Sequence, residues 1–557
     1  MEIRPVNYKL YHSYARLKNF VSKNYNVGAK ENTLGCDIFV TNKNNSSVSF
    51  SKNTNDSEPF ELNLCPKELE LRTNKDNLIT VEMLNEDSSE YNNLDWGDKE
   101  ALKHLVIAAK YADKIFMKQD NDLNLPFSEY LQIQSSKGNE NAKRTLQLFN
   151  AQKGIISPDF KANKVVLLKD AQELPGKGFY PSDLSKEEFH LILKSMLESG
   201  EQKEVEKILS QRTVVKRDGD KLKAVDYTEE YSEEFSKIAD ELEKAAKTPT
   251  NKDFNEYLLI QAKALRKNDF TLDGWADKKW AELQDTPLEF TISRESYADE
   301  LTGTVYENEE LNKMLILNNI RPFPKDSIGI RVGIVNKKGT EELLKIKKYI
   351  PLMAENMPLK DFYKQNISSS EDNKQTMVDV DIVILSGDEG AYRAGLVIAQ
   401  NLPNNDKMSL KIGGGRRNVY HRQVRMKNSQ AEKAKTQEKL NVILNPDLHK
   451  YYNTEADHWF TIGHENAHSL GPSSGTDLLG QYKDIIEENK ADMAALAFLK
   501  ILTEKGVYTE EQKNQILTTY AVNNFLKAKP HLSQAHRVRS VMQNFYFIKE
   551  GAIMVDN

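Results

Sequence analysis

The sequence predicts a mostly helical α+β protein with a sheet or barrel element built from the middle of the chain. Three observations carry that expectation. Helical apolar stripes dominate from about residue 95, strand-like segments are confined to about 212–385, and helical patterning returns after about residue 441. The chain has 557 residues, which predicts two to four domains. Its 39% hydrophobic and 29% charged residues form an ordinary water-soluble balance, so wholesale disorder is excluded.

The elements follow in chain order. Residues 41–57 (TNKNNSSVSFSKNTNDS) are almost all Asn, Ser, Lys and Thr. Such a tract buries too little apolar surface to offset its ordering entropy, and it reads as a linker or surface loop. Leu102, Leu105, Val106, Ala109, Ala112, Ile115 and Phe116 recur at spacings of three and four, the stripe of a buried helix face. Ser185 and Glu188 form a capping-box pair before Phe189. The charged stretches 229–247 and 254–267 read as helices with solvated faces. Residues 212–216 and 221–225 flank Asp218-Gly219, a hairpin signature. Segments 328–335 (IGIRVGIV) and 378–385 (VDVDIVIL) alternate or run apolar as strands do. Gly413-Gly414-Gly415 precedes a basic edge but lacks the endings of a phosphate loop, so it reads as a tight turn.

Composition also removes function classes. Lys+Arg number 77 against 83 Asp+Glu, a net charge of -6, which argues against a generic nucleic-acid binder. Cys36 and Cys65 are too few for a disulfide framework or a cysteine-rich metal site, and they suit a reducing compartment. Residues 1–17 show no apolar leader core, and apolar runs such as 494–499 fall far below the roughly 18 residues that cross a bilayer. The expectation is a cytoplasmic protein with neither nucleic acid nor membrane as partner.

The chemistry sits in residues 461–472 (TIGHENAHSLGP). His464, Glu465 and His468 make H-E-x-x-H. On a helix, positions i and i+4 share one face, so both imidazoles can reach one ion while the adjacent Glu465 points at a water on it. A third protein ligand is still required to leave one open position. Residues 485–499 (IIEENKADMAALAFL) read as a helix that begins its acids at Glu487 and Glu488. Glu488 as ligand shares a face with Asp492, which could accept the N–H of a ligand histidine. Glu487 points about 100° away on the helical wheel and is the weaker ligand, though it could also back a histidine. Two imidazoles, one carboxylate and a solvent position favour one Zn²⁺ per chain over Ca²⁺ or Mg²⁺. Glu465 would take the proton of the attacking water and hand it to a leaving amine, which is hydrolysis of a peptide or amide bond. His458 falls off the ligand face and reads as structural, and His421 has no assignable partner.

HENAH followed by EENKAD resembles the dipeptidyl peptidase III family, zinc exopeptidases of peptidase family M49. Most animal and fungal members have one extra residue between the histidines. The shorter spacing here matches some bacterial relatives and suits a regular helix. The family's ligand is the second glutamate of the pair, which corresponds to Glu488. Residues 295–299 (ESYAD) resemble the family's E-S-Y-R-D, with Ala298 where arginine is usual. The resemblance implies that Glu295 holds a substrate's N-terminal ammonium and that Tyr297 steadies the tetrahedral intermediate. Residues 401–406 (NLPNND) are similar to N-I-P-N-x-D, which implies that Asn401 and Asn404 anchor the same end of the peptide. Ala535-His536 resembles a segment whose histidine donates to the transition-state oxygen.

Each of these residues also has a plainer reading. Glu295 could be a surface acid, Tyr297 a half-buried core tyrosine, His536 a surface histidine, and the asparagines flanking Pro403 turn formers. Two departures stand out: the chain stops 21 residues after His536, where the family usually continues with a basic residue that grips the peptide, and the first ~90 residues have no counterpart.

The resemblance implies two lobes with a cleft between them, one helical and zinc-bearing, the other containing a small β-barrel. The expected division is an N-terminal extension over 1–92, a barrel-containing substrate lobe over 93–330 and 378–418, and a catalytic lobe over 331–377 and 419–557. The expected activity is release of dipeptides from the N-terminus of oligopeptides. Two alternatives stay open: a zinc aminopeptidase or endopeptidase with another cut position, and a non-catalytic peptide-binding protein stabilised by zinc.

Overall fold

The computed structural model describes residues 60–74, 78, 86–158, 164–295, 299–364, 377–388, 399–402, 417–422, 430–472, 474–526 and 535–555. The Asn/Ser-rich tract 41–57, Cys36 and the glycine run 413–415 lie outside them.

The fold is built around α1 (Trp96–Asp120), a 25-residue helix. The predicted stripe is its buried face: Leu102, Leu105, Ala109, Ala112, Ile115 and Phe116 are buried, and Val106 is partly so. It lies against α5 (Ser232–Ala245) and against a curled five-stranded sheet. Two helices follow α1, α2 (Asn124–Ser136) and α3 (Glu140–Gln152), then the small hairpin β1 (Ile156–Pro158) and β2 (Lys164–Val166). These share a separate apolar cluster with Leu69, which comes from the short helix Pro66–Arg72. Next comes α4 (Lys186–Glu198), where the Ser185 hydroxyl accepts the Glu188 N–H at 3.1 Å as its capping motif predicts. The hairpin β3 (Thr213–Asp218) and β4 (Lys221–Asp226) turns through Gly219 at φ +61°. The charged segments form α5 and α6 (Lys252–Lys267), and α7 (Phe270–Ala281) leads into the sheet.

The sheet comprises β5 (Leu288–Glu295), β6 (Ser327–Val335), β7 (Met377–Gly387), β8 (Ala399–Leu402) and β9 (Arg417–Arg422), in the order β5-β6-β7-β9-β8. Among the described strands of the sheet, only the β7–β9 pair is parallel. The barrel element expected from the sequence is therefore a curled half-barrel whose described edges are β5 and β8. Strand alternation explains its two faces. Leu288, Phe290, Ile292, Ile328, Ile330, Val332 and Ile334 enter the core with α1, whereas Glu289, Thr291, Ser293 and Arg331 line the other side, also buried. A bulge between Val332 and Gly333 adds curvature.

A second core gathers Leu343, Ile346, Ala456, Ile462, Leu470, Ala491, Phe498, Leu502 and Ile516. Its main helices are α8 (Thr454–His468), α9 (Lys483–Ala497) and α10 (Glu510–Leu526), with α11 (Ala535–Lys549) packed on α9. Consecutive residues of β9 divide between the cores: Val419 enters the first and Tyr420 the second. That strand ties the sheet to the helical half.

Lys325 is fully buried, and its ammonium donates to the carbonyls of Ile208 and Ser210 and to the Thr213 hydroxyl at 2.7–2.9 Å. Burial pushes its pKa down to about 7, with Asp299 and Asp326 pulling the other way. Between that value and the ordinary 10.5, the unfolded chain holds a proton that the folded chain has released. Stability from this group therefore rises with pH through the window. Urea titrations at intervals from pH 7 to 9.5 should show a positive slope in unfolding free energy that Lys325→Met reduces. Leu105→Ala, which empties the centre of the α1 interface, should cost about 2–5 kcal/mol in the same assay.

Candidate metal centre

Two helices deliver the site. The carboxamide of Asn453 caps α8 by accepting the Glu455 N–H at 3.0 Å, which starts the helix cleanly. α9 crosses it closely because the contact residues are small: a Cβ on Gly463 would sit 3.3 Å from the Ala495 methyl. This approach brings the 464–468 face against the 487–492 face.

The two imidazoles converge. His464 Nε2 and His468 Nε2 lie 3.1 Å apart, with the rings perpendicular. Each opposite nitrogen faces a carboxylate: His464 Nδ1 is 2.7 Å from Asp492 Oδ1, and His468 Nδ1 is 2.9 Å from Glu487 Oε1. Each Nδ1 therefore carries the proton and donates, which leaves a lone pair on each Nε2. Two lone pairs aimed at each other at this distance repel unless a cation lies between them. Tetrahedral ligands at Zn–N lengths of about 2.05 Å would stand roughly 3.3 Å apart, close to what is found.

Among the described residues, His464, Glu465 and His468 form a group whose donor atoms all lie within 4.8 Å of one another. Glu488 borders the same space by straddling the histidines. Its Oε2 is 3.4 Å from His464 Nε2 and its Oε1 4.0 Å from His468 Nε2. The buried Oε2 accepts no well-aligned hydrogen bond, although His464 and His536 are both within ion-pair distance. Burial alone would raise the Glu488 pKa. The neighbouring imidazoles of His464, His536 and His468 outweigh it and hold the carboxyl well below its usual range. Glu487 is also held low: burial raises it, while His468 and Lys490 lower it by more. The donor set thus fits a divalent metal: two imine lone pairs, one anionic oxygen without a well-aligned hydrogen bond, and a second acid at the rim.

The partners around the centre were only partly visible in the sequence. Asp492 is completely buried and also receives the Tyr520 hydroxyl at 2.6 Å, the Gln543 amide at 3.3 Å and an ion pair from Arg539. Burial pushes the Arg539 guanidinium down to about 10, opposed by Glu488, so it remains charged at neutral pH. Lys490 donates to Glu487 Oε1 at 2.7 Å and to the Leu470 carbonyl at 2.7 Å, bolting α9 to the end of α8. On the sheet side, the Tyr420 hydroxyl donates to the Ile462 carbonyl at 3.3 Å, and the Asn466 amide donates to the same carbonyl at 2.8 Å. Tyr520, Gln543 and Arg539 come from helices later in the chain, and no motif spacing ties them to the histidines.

The remaining predicted residues fall as follows. His536 lies near the start of α11 with Nδ1 3.1 Å from Glu488 Oε2, and its ring is largely exposed. Glu295 ends β5 and pairs in register with Ser327. Asn401 lies in β8 opposite Asn418, and β8 packs against α8. Tyr297 and Asn404 lie outside the described residues. His458 stands edge-on to Tyr420 at 6.1 Å, a packing role.

Comparison with known proteins adds independent findings. No family model matches the sequence. A solved structure of DPP III from Caldithrix abyssi superposes with a TM-score of 0.64 at 26% identity, covering 83% of this chain and 82% of that one. A structure of dipeptidyl-peptidase III from Corallococcus sp. strain EGB gives a TM-score of 0.64 at 22% identity over 88% and 84% of the two chains, a likeness of fold. A curated relative, Nudix hydrolase 3 of Arabidopsis thaliana, is 25% identical over 414 residues, 68% of this chain and 48% of the relative. The chain therefore spans about half the length of the curated relative it matches.

Chelator-treated protein re-equilibrated with a divalent transition metal should take up one ion per chain by elemental analysis. Glu488→Ala should weaken that binding by at least about 100-fold. Saturation at about a thousand times Kd should raise the unfolding free energy by about 4 kcal/mol.

Proposed function

We propose, for a chain that belongs to the dipeptidyl peptidase III family, a zinc-dependent metallopeptidase that releases dipeptides from the N-terminus of oligopeptides. The observation that carries this reading is the pair of imidazole lone pairs meeting at 3.1 Å beside the Glu488 carboxylate. The likeness to the Caldithrix abyssi structure, over four-fifths of both chains, supports the peptidase assignment. A nitrogen-rich set with one carboxylate suits zinc better than calcium or magnesium.

In this reading His464, His468 and Glu488 hold the ion. When bound, zinc supplies Lewis acidity, lowering the pKa of a water and polarising the scissile carbonyl. The chain's own groups do the rest. Glu465, next to His464 and buried, takes the proton from the attacking water and returns it to the departing amine, so the amide C–N bond breaks as a C–O bond forms. Asp492 and Glu487 keep both histidines in the tautomer that presents Nε2. His536, beside Glu488 and open to solvent, donates to the oxygen that gains charge, and Tyr297 would steady the same tetrahedral intermediate.

Glu295, Asn401 and Asn404 bind the free ammonium of the peptide. A carboxylate with amide oxygens is the chemistry that distinguishes an amino terminus from an internal amide. Asn401 sits on a strand packed against the metal helix, which would set a fixed span between that anchor and the scissile bond. The proposed division keeps 93–330 and 378–418 as the substrate lobe and 331–377 and 419–557 as the catalytic lobe, with 1–92 as an extension. Oligopeptides are the proposed partners, without nucleic acid or membrane. No described helix is long and apolar enough to cross a membrane, and the proposed setting is cytoplasmic.

Glu465→Gln should retain zinc and lose at least about a thousandfold in kcat. Blocking the N-terminus of a tetrapeptide by acetylation should abolish dipeptide release. Equal cleavage of blocked and free peptides would point to an endopeptidase, single-residue release to an aminopeptidase, and zinc binding without any turnover to a scaffold.

A further inference from the structure

We propose that Tyr520 is a positioning residue of the metal centre, acting on His464 through Asp492. The inference rests on reading His464 as a ligand and extends it to a side chain that touches neither ion nor substrate.

Asp492 has two oxygens with separate tasks. Oδ1 receives His464 Nδ1–H at 2.7 Å, and Oδ2 receives the Tyr520 hydroxyl at 2.6 Å. The second distance lies in the range of charge-assisted O–H···O⁻ bonds, about 2.5–2.7 Å, which are roughly twice as strong as neutral ones. Arg539 and the Gln543 amide also reach Oδ2, but with no solvent access Asp492 cannot fill the hydroxyl's own place with water. A carboxylate held at Oδ2 cannot swing, so Oδ1 stays in line with the imidazole, and the Nε2 lone pair stays aimed at the ion.

Tyr520 is itself fixed. Its ring packs on Phe460 with centroids 4.4 Å apart, and Phe460 lies one turn before His464 on the same helix. The Tyr520 hydroxyl shares its proton between Asp492 Oδ2 and the Gln543 carbonyl oxygen, and the Gln543 amide donates to Asp492 Oδ2 at 3.3 Å and to Asn489 at 3.1 Å. Burial also raises the phenol's pKa, so the hydroxyl keeps its proton over the working range. Four helices thus meet at one carboxylate: α8 through His464, α9 through Asp492, α10 through Tyr520 and α11 through Gln543 and Arg539.

The other ligand arm is built differently. Glu487, which backs His468, is a third exposed and is held by Lys490, itself partly exposed. The His464 arm is therefore set before an ion arrives, whereas the His468 arm is free to adjust around it.

The test uses the full chain, stripped of metal, with Zn²⁺ and Co²⁺ as probes in competition with a chelator of known affinity. Tyr520→Phe keeps the ring and removes only the hydroxyl. It should lower affinity for both ions about 5- to 20-fold, mostly through faster release, and shift the Co²⁺ visible bands. The metal-free variant should lose some stability, because a buried carboxylate loses a donor, but should unfold in one cooperative step with the parent's denaturant slope. In an Asp492→Asn background, adding Tyr520→Phe should change affinity less than twofold, since the path through the carboxylate is already cut. Gln543→Met gives a second, milder probe and should weaken binding in the same direction. Parental affinity in Tyr520→Phe, or an undiminished loss in the Asp492→Asn background, would overturn the role of Tyr520 while leaving the metal centre standing. A parent chain that holds neither ion would overturn both.

Discussion

Two imidazole lone pairs forced to face each other across 3.1 Å are the constraint around which this half of the molecule is organised. Left alone, that contact is repulsive, and helices α8 and α9 must press it together. They do so because small residues, Gly463 and Ala495, meet at their crossing, and because each histidine is drawn outward by an acid on its far side. The acids in turn need cations or donors, since a buried carboxylate without them is costly. Arg539, Tyr520 and Gln543 answer Asp492, and Lys490 answers Glu487. The charge pattern is layered from the inside out, and each layer makes the next one inward tolerable.

The same logic explains why the site lies in a helical core and the peptide-recognition candidates on a sheet. Helices space side chains at i and i+4 on one face, which suits a point-like ion. Strands present a line of evenly spaced groups, which suits an extended chain. Glu295 and Asn401 both lie in strands of the curled sheet, on the two edge strands of the described order.

Much of this was legible in the residues, because the relevant contacts are local. The H-E-x-x-H spacing implies a shared helix face, and Asp492 follows Glu488 by one turn, so its bond to His464 could be anticipated. Strand positions followed from alternation in IGIRVGIV and VDVDIVIL, and the α1 stripe from its three-and-four spacing. The order of the sheet was not legible. It depends on a parallel pairing of β7 with β9 and on β8, a four-residue strand too short to show a pattern. Tyr520, Gln543 and Lys490 were missed for a related reason. Their importance comes from helix packing over tens of residues, and an isolated tyrosine or glutamine in a helical stripe carries no mark of the carboxylate it will meet.

The division of β9 has a bearing on how the chain assembles. Val419 and Tyr420 are neighbours committed to different cores, and the tyrosine hydroxyl reaches the backbone of the helix that carries His464 and His468 at Ile462. A slip of this strand by one residue would exchange the two side chains and leave a phenol among aliphatic groups. Both cores therefore require the same register of this strand. The sheet half and the helical half should acquire their last order in a single cooperative step, with register on one side acting as a checkpoint for completion of the other.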